Sequence, residues 1–232
     1  MICTKDLIIK QMLNKAPNTK SWILHVSLLL LGLYLHDQQS FDLYLQKFFY
    51  LGDRIWLVDG KEFWSKLFFY NGPKIILAIF GVYHIFLFSK LFFQKKIIKR
   101  DSLHIILSLA AIPGIISFLK SSSGIPCPHQ LKYFQGEFDF MPIFSLIRGQ
   151  GHCFPGGHAS GGFALVCLGH LANHKKNNHA LFIGLGLGWI MGLYQMMKGD
   201  HFFSHTLVSQ ELAFLVSLFL FQLLNKNSDE TI

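Results

Sequence analysis

Charge divides this chain into segments. From residue 102 to 119, and again from 177 to 197, there is no Lys, Arg, Asp or Glu. Crossing a bilayer core takes roughly 20 mostly apolar residues, or about 17 at the short end. Six stretches approach that length: 21–36, 73–93, 102–119, 157–174, 178–197 and 202–224. Lys74 and Lys90 fall near the ends of the second, where long side chains snorkel. One soluble core in a chain of 232 residues has no use for six such runs. The expected fold is therefore all-α, a bundle of six transmembrane helices spanning 21–225, with tails at 1–20 and 226–232.

Basic residues set the orientation. Lys5, Lys10, Lys15 and Lys20 precede the first run. Lys95, Lys96, Lys99 and Arg100 follow the second, and Lys175 and Lys176 follow the fourth. With six spans all three groups share one side, so that side and both tails are expected in the cytoplasm. The opposite segment, 37–72, mixes Lys47, Arg54, Lys61 and Lys66 with Asp37, Asp42, Asp53, Asp59 and Glu62. The net charge of +8 is thus largely a topology signal, and nucleic acid is not an expected partner. The first run has no small-residue cleavage site after it and reads as an uncleaved anchor. These features describe an integral membrane protein.

Two outward segments stand out. Residues 41–51, FDLYLQKFFYL, suit an amphipathic interfacial helix or simple packing across the bundle mouth. Residues 120–156 form a long loop rich in Gly, Pro, Ser and His, and loops of that length in compact proteins are usually functional. This loop holds Cys127 and Cys153, which either pair in an oxidising compartment or remain thiols. Cys3 and Cys167 lie elsewhere.

Three segments bring polar residues to one outer (periplasmic) face. Lys120 ends the third run, Gly156, Gly157 and His158 open the fourth, and Lys198, Asp200, His201 and His205 lie between the fifth and sixth. Glycines leading into a helix leave backbone N–H groups pointing at the positive end of the dipole, a setting for phosphate. Lys120, Lys198 and Arg148 supply positive charge, Arg148 with a two-pronged guanidinium. His201 and His205, four apart, suit a nucleophile and its orienter, and His158 suits a general acid. The same three histidines also suit a zinc site, or a site that only binds or transports a phosphorylated lipid. Ser160, in GHASGG, reads better as close helix packing than as a nucleophile.

The order and spacing resemble the type 2 phosphatidic acid phosphatase superfamily. Its first motif, Lys, six residues, Arg-Pro, is matched by Lys120 and Cys127-Pro128. Its second, Pro-Ser-Gly-His, is matched by Pro155-Gly156-Gly157-His158. Its third, Ser-Arg, five residues, His, three residues, Asp, is matched by Tyr194-Gln195, His201 and His205. The motif region spans about 120–205. The resemblance implies a membrane lipid phosphatase with His201 as the phosphorylated nucleophile, His205 in the place of its orienting aspartate and His158 as the acid. Lys120 and the Gly156 and Gly157 amides would hold the phosphoryl oxygens. It implies a phosphorylated lipid as partner and no metal or organic cofactor. Two arginines and a carboxylate of the family pattern are missing, and Lys198, Arg148 and Asp200 are the candidate replacements. The variants Cys-Pro, CFPxGHAS and HFxSH together look like a divergent bacterial subgroup.

Overall fold

The structure, a computed structural model, describes residues 19–94, 100–145, 149–174 and 179–226. The basic clusters at 95–99 and 175–176, the N-terminal lysines before residue 19 and Arg148 fall outside these residues.

The fold is mostly helical. Helix α1, Thr19–Asp37, is followed by the short α2, Ser40–Lys47, and a two-stranded hairpin of β1, Tyr50–Gly52, and β2, Ile55–Trp56. Next come α3, Phe63–Lys66, a π-helical turn Leu67–Asn71, and α4, Gly72–Phe93. Pro73 sits at the start of α4, where its missing N–H costs least. Helix α5, Arg100–Ser123, carries Pro113 in its interior. The chain then passes through two 3₁₀ turns, Pro128–Gln130 and Lys132–Phe134, to α6, Gly157–Phe163. A further 3₁₀ turn, Ala164–Val166, leads into α7, Cys167–His174, and then α8, His179–Met197, and α9, Phe203–Lys226.

Among the described residues, four helical segments are long and apolar enough to cross a membrane: Phe63–Phe93, Arg100–Ser123, His179–Met197 and Phe203–Asn225. Two of the six expected runs are different. Helix α1 carries histidines turned into the bundle, with His25 Nδ1 2.7 Å from the buried Glu211 carboxylate and His36 fully buried. The run 157–174 is not one helix but α6, a 3₁₀ turn and α7. Its break lies where its backbone presses on α8: a Cβ on Gly184 would stand 2.6 Å from Val166 N, and one on Gly162 2.5 Å from Gly188 N. Only glycine permits that approach.

The core joins α5, α6 and α9 through Ile112, Ile116, Ala159, Phe163, Ala213 and Phe214. Helix α4 packs on the flank of α5 and leaves Ile76, Ile79 and Val82 largely exposed, as a lipid-facing helix does. Helix α2 is amphipathic in an inverted sense. Asp42 and Gln46 point inward and are fully buried, while Tyr44 is exposed.

The long loop is strapped down over the bundle mouth. Gly151 N–H donates to Gly124 O at 3.2 Å, Cys153 N–H to Ile125 O at 2.9 Å and His129 N–H to Gly199 O at 2.9 Å. Cys127 and Cys153 face each other as a disulfide pair with Cα atoms 5.1 Å apart. Leu131 and Phe134 pack with Phe202, Tyr50 and Trp56, sealing hairpin, loop and α9 together.

Candidate active site

The C-terminus of α8 sets the geometry. Gly199 has φ +74°, the left-handed conformation that closes a helix. Gly199 N–H donates to Met196 O at 3.0 Å and Asp200 N–H to Gln195 O at 2.9 Å, the double bond of a Schellman cap. The cap turns the chain so that Asp200 and His201 leave α8 sideways before α9 begins at Phe203. His201 therefore precedes the helix that carries His205, where the sequence suggested a shared helical face. The pair still meets, with the two Nδ1 atoms 3.4 Å apart and both side chains buried. One nitrogen donates and the other accepts.

Burial brings the His201 imidazole down to about 3, and the Lys120 charge pushes the same way. The ring is neutral at physiological pH. If its Nδ1–H donates to His205 Nδ1, its Nε2 lone pair is free to attack.

His158 stands at the start of α6, with its ring 4.2 Å from that of Tyr70. Its Nε2 is buried and has no partner among the described residues. Lys74, Lys120, Lys198 and His201 all act on it electrostatically. Lys120 reaches α6 from the last turn of α5: a Cβ on Gly157 would lie 3.3 Å from Lys120 Cδ and 3.7 Å from Nζ. A side chain at Gly157 would crowd the Lys120 stem.

The structure corrects one expectation. The Gly156 N–H is not available to phosphate, because it donates to His205 O at 3.0 Å. Ser209 Oγ donates to Gly156 O at 3.0 Å. Gly156 is thus a latch between α6 and α9, following a cis Phe154–Pro155 bond. The Gly157 and His158 amides, which open α6, are left to meet an anion.

Lys198 is not a free cation. Its Nζ donates to Asp200 Oδ2 at 2.6 Å and to Gln195 Oε1 at 3.2 Å, beneath the Tyr70 and Tyr194 rings. The other Asp200 oxygen faces His129 Nδ1 at 3.4 Å. Burial raises the Asp200 carboxyl, but hydrogen bonds from His129 and Lys198 outweigh it, and the group lies below the ordinary carboxylate range. The same bond raises His129 above the usual imidazole value. Asp200 is an ion-paired brace beside His201, and it also acts on His201 electrostatically.

The structure thus brings His158, His201, His205, Lys120, Gly156, Gly157 and Lys198 together. Sequence reasoning missed Lys74, Tyr70 and His129. Lys74 was taken as a snorkelling end residue, yet its Nζ lies 3.8 Å over the Tyr70 ring and it lines the cavity that holds His158.

That cavity, about 710 Å³, runs between α4 and α5. Lys74, Lys120, Gly157 and His158 form its polar end. Leu77, Ala78, Gly81, Val82 and Ile85 line one wall, and Ile106, Leu109, Ala110 and Pro113 the other. From Lys74 to Ile85 a helix rises about 16 Å, close to the roughly 15 Å half-thickness of a bilayer core. A second cavity of about 530 Å³ opens beyond Lys198 and Asp200, lined by Arg54, Trp56, Asp59, His129 and Glu137.

Comparison with known families gives one match: the family model described as the PAP2 superfamily covers residues 101–229, from α5 to the end of α9. Neither the curated proteins nor the solved structures gave a match.

Proposed function

Since the chain belongs to the PAP2 superfamily, a family of phosphatases acting on phosphorylated substrates, we propose that it dephosphorylates a lipid phosphate or lipid pyrophosphate. The observation that carries the lipid reading is the groove between α4 and α5. It is apolar along its length, one leaflet deep, and ends on Lys74, Lys120 and His158. A phosphorylated head group at that end would lay its tail along the groove. In this reading α1 and the broken α6–α7 run cross a bacterial inner membrane alongside the four long apolar segments, both termini are cytoplasmic, and the site faces the outer leaflet.

The reaction runs in two steps. His201 Nε2 attacks phosphorus, the bond from phosphorus to the lipid oxygen breaks, and a proton from His158 goes to that leaving oxygen. Water then attacks the phosphohistidine, the N–P bond breaks, and the water's proton returns to His158. Lys120, Lys74 and the Gly157 and His158 amides surround the charge on the transferring group. Phosphate between these cations also offsets the charges that face His158, which favours the protonated form that the acid role needs.

The second cavity favours one related activity. It meets the reaction centre at Lys198 and Asp200 and has room for an alcohol acceptor in place of water. Phosphotransfer between lipids would then use the same nucleophile.

The test is phosphate release from phosphatidic acid by purified protein, with His158, His201 and His205 each changed to Ala. His201→Ala should lose at least about a thousandfold in kcat, and wild type should trap a phosphoenzyme. Full activity in His201→Ala would overturn the mechanism, and loss of wild-type activity on chelation would favour the zinc alternative.

A further inference from the structure

The family pattern places a carboxylate where this chain has His205. A neutral imidazole there is ambiguous in a way that a carboxylate is not. A carboxylate only accepts, and so forces the nucleophile to carry its proton on Nδ1. His205 can accept from His201 or donate to it, and only the first leaves His201 Nε2 free. The other nitrogen, His205 Nε2, is buried with no partner among the described residues, so what holds the ring against His201 is the packing around it.

Behind His205 lies a buried cluster in which His36 and Asp42 come from the part of the chain outside the family match. His36, at the end of α1, packs its ring 5.1 Å from the His205 ring. Phe154 and Phe202 meet His205 edge-on at 5.1 and 5.3 Å. His36 is itself held at both nitrogens. Nε2 lies 3.1 Å from Met141 O, and Nδ1 lies 3.5 Å from Asp42 Oδ2 and 3.4 Å from Ser204 Oγ. Asp42, from α2, accepts from Ser204 N–H at 3.0 Å and is bonded to Ser204 Oγ as well. Ser204 immediately precedes His205. The carboxylate thus caps the first turn of α9 and anchors the ring that rests on His205.

A proton count narrows what the cluster does. Met141 O can only accept, so His36 Nε2 carries a proton. Two arrangements complete the bonds. In one, Asp42 is protonated and donates to Ser204 Oγ, which donates to a neutral His36 Nδ1. In the other, Ser204 Oγ donates to a carboxylate and His36 is an imidazolium. Both are neutral overall, and neither brings to His205 the negative charge that the family aspartate gives. What it supplies is orientation.

We propose that Asp42, Ser204 and His36 are positioning residues for the nucleophile, packing the His205 ring into the place where its Nδ1 meets His201 Nδ1. This rests on the phosphohistidine reading above. The bonds made and broken are those already given; the cluster adds no proton and removes none. Of the replacements that sequence reasoning offers for the missing groups, Lys198 and Asp200 pair with each other and not with His205, and Arg148 lies outside the described residues.

The test compares Asp42→Ala, Asp42→Asn and Ser204→Ala, each checked for its thermal midpoint, on dioctanoyl phosphatidic acid. Asn at 42 can accept from Ser204 N–H and donate to Ser204 Oγ, reproducing the neutral arrangement bond for bond. Misplacing a reacting group by about 1 Å costs on the order of a hundredfold. Asp42→Ala should therefore lose about thirty- to a hundredfold in kcat and in single-turnover phosphoenzyme formation, with KM unchanged. Asp42→Asn should stay within about threefold of wild type, since it restores the hydrogen bonds that position the ring. Ser204→Ala keeps the backbone cap and so folds, and should lose about tenfold in kcat. Wild-type kcat in Ser204→Ala and Asp42→Ala would overturn the proposal. So would a loss in Asp42→Asn equal to that in Asp42→Ala, which would make the charge the working element. A wild-type protein that traps no phosphoenzyme would instead sink the underlying mechanism, a separate outcome.

Discussion

Cutting the Cys127–Cys153 link, by reductant or by changing both residues to Ser, tests how the outer loop serves the site. The two cysteines are 26 residues apart. Closing a loop of that length removes about 12 cal/mol/K from the unfolded chain, or about 3.5 kcal/mol at 25 °C. The backbone bonds at Gly151 and Cys153 do not replace this stabilisation, because they exist only in the folded state. For a chain of this size about 3.5 kcal/mol corresponds to a fall of roughly 7–14 °C in Tm. Activity should fall as well. His129 lies two residues from Cys127 and joins the loop to Gly199 and Asp200, so a loosened loop frees Asp200 beside the nucleophile. The assay is thermal unfolding and phosphate release with and without reductant, alongside a count of alkylated thiols. An identical Tm in both states would refute the loop-closure reasoning, and complete labelling of both cysteines without reductant would show that no bridge forms.

Two further outcomes follow from the site and its groove. His129→Gln removes an imidazole whose value is raised by Asp200. That stabilisation is fully present below about pH 6.5 and lost as pH rises through the raised value, so the variant's stability deficit should be largest below pH 6.5 and close at alkaline pH; a deficit that grows with pH would reverse the assigned pairing. Gly81 faces the groove, and its Cβ would lie 3.7 Å from Leu109 Cδ1, an ordinary contact. Gly81→Phe should fold and should raise KM for short-chain phosphatidic acid about tenfold, the cost of leaving about two methylenes unburied. Turnover of phenyl phosphate, which has no tail, should not change; equal effects on both substrates would remove the tail from the groove.

The four long apolar segments and the meeting of His158, His201 and His205 were legible because each rests on a local pattern. Charge-free length marks a span, and glycines before His158 mark a helix start. The segmentation of 157–174 was not legible, since it depends on where Gly184 and Gly188 of another helix press against it. Gly156 was misread for a similar reason: its amide is satisfied by His205 O, a partner 49 positions away. Lys74 looked like an end residue because nothing in its neighbours reveals that α4 lies beside α6. His36 and Asp42 gave the least signal. A histidine and an aspartate at a helix–loop junction are common, and their meeting with Ser204 depends on the tertiary fold alone.

The departure at His205 and the cluster behind it make sense only together, and changing His205 to Asp tests that. In isolation the substitution restores the family pattern and should improve catalysis. In this structure position 205 is enclosed by Phe154, Phe202 and His36, and the His205 side chain has no exposed surface. A carboxylate placed there leaves water for an aromatic slot, at a cost of several kcal/mol unless it is well paired. It is also shorter than imidazole, and would sit farther from His201 Nδ1 than the present 3.4 Å. His36 cannot turn to meet it without giving up Met141 O or Ser204 Oγ. His205→Asp should therefore melt lower than wild type and lose at least about tenfold in kcat, as misplaced catalytic partners do. A variant with wild-type Tm and kcat would show that the slot takes either partner, and that His36 and Asp42 do not specify a ring at this position.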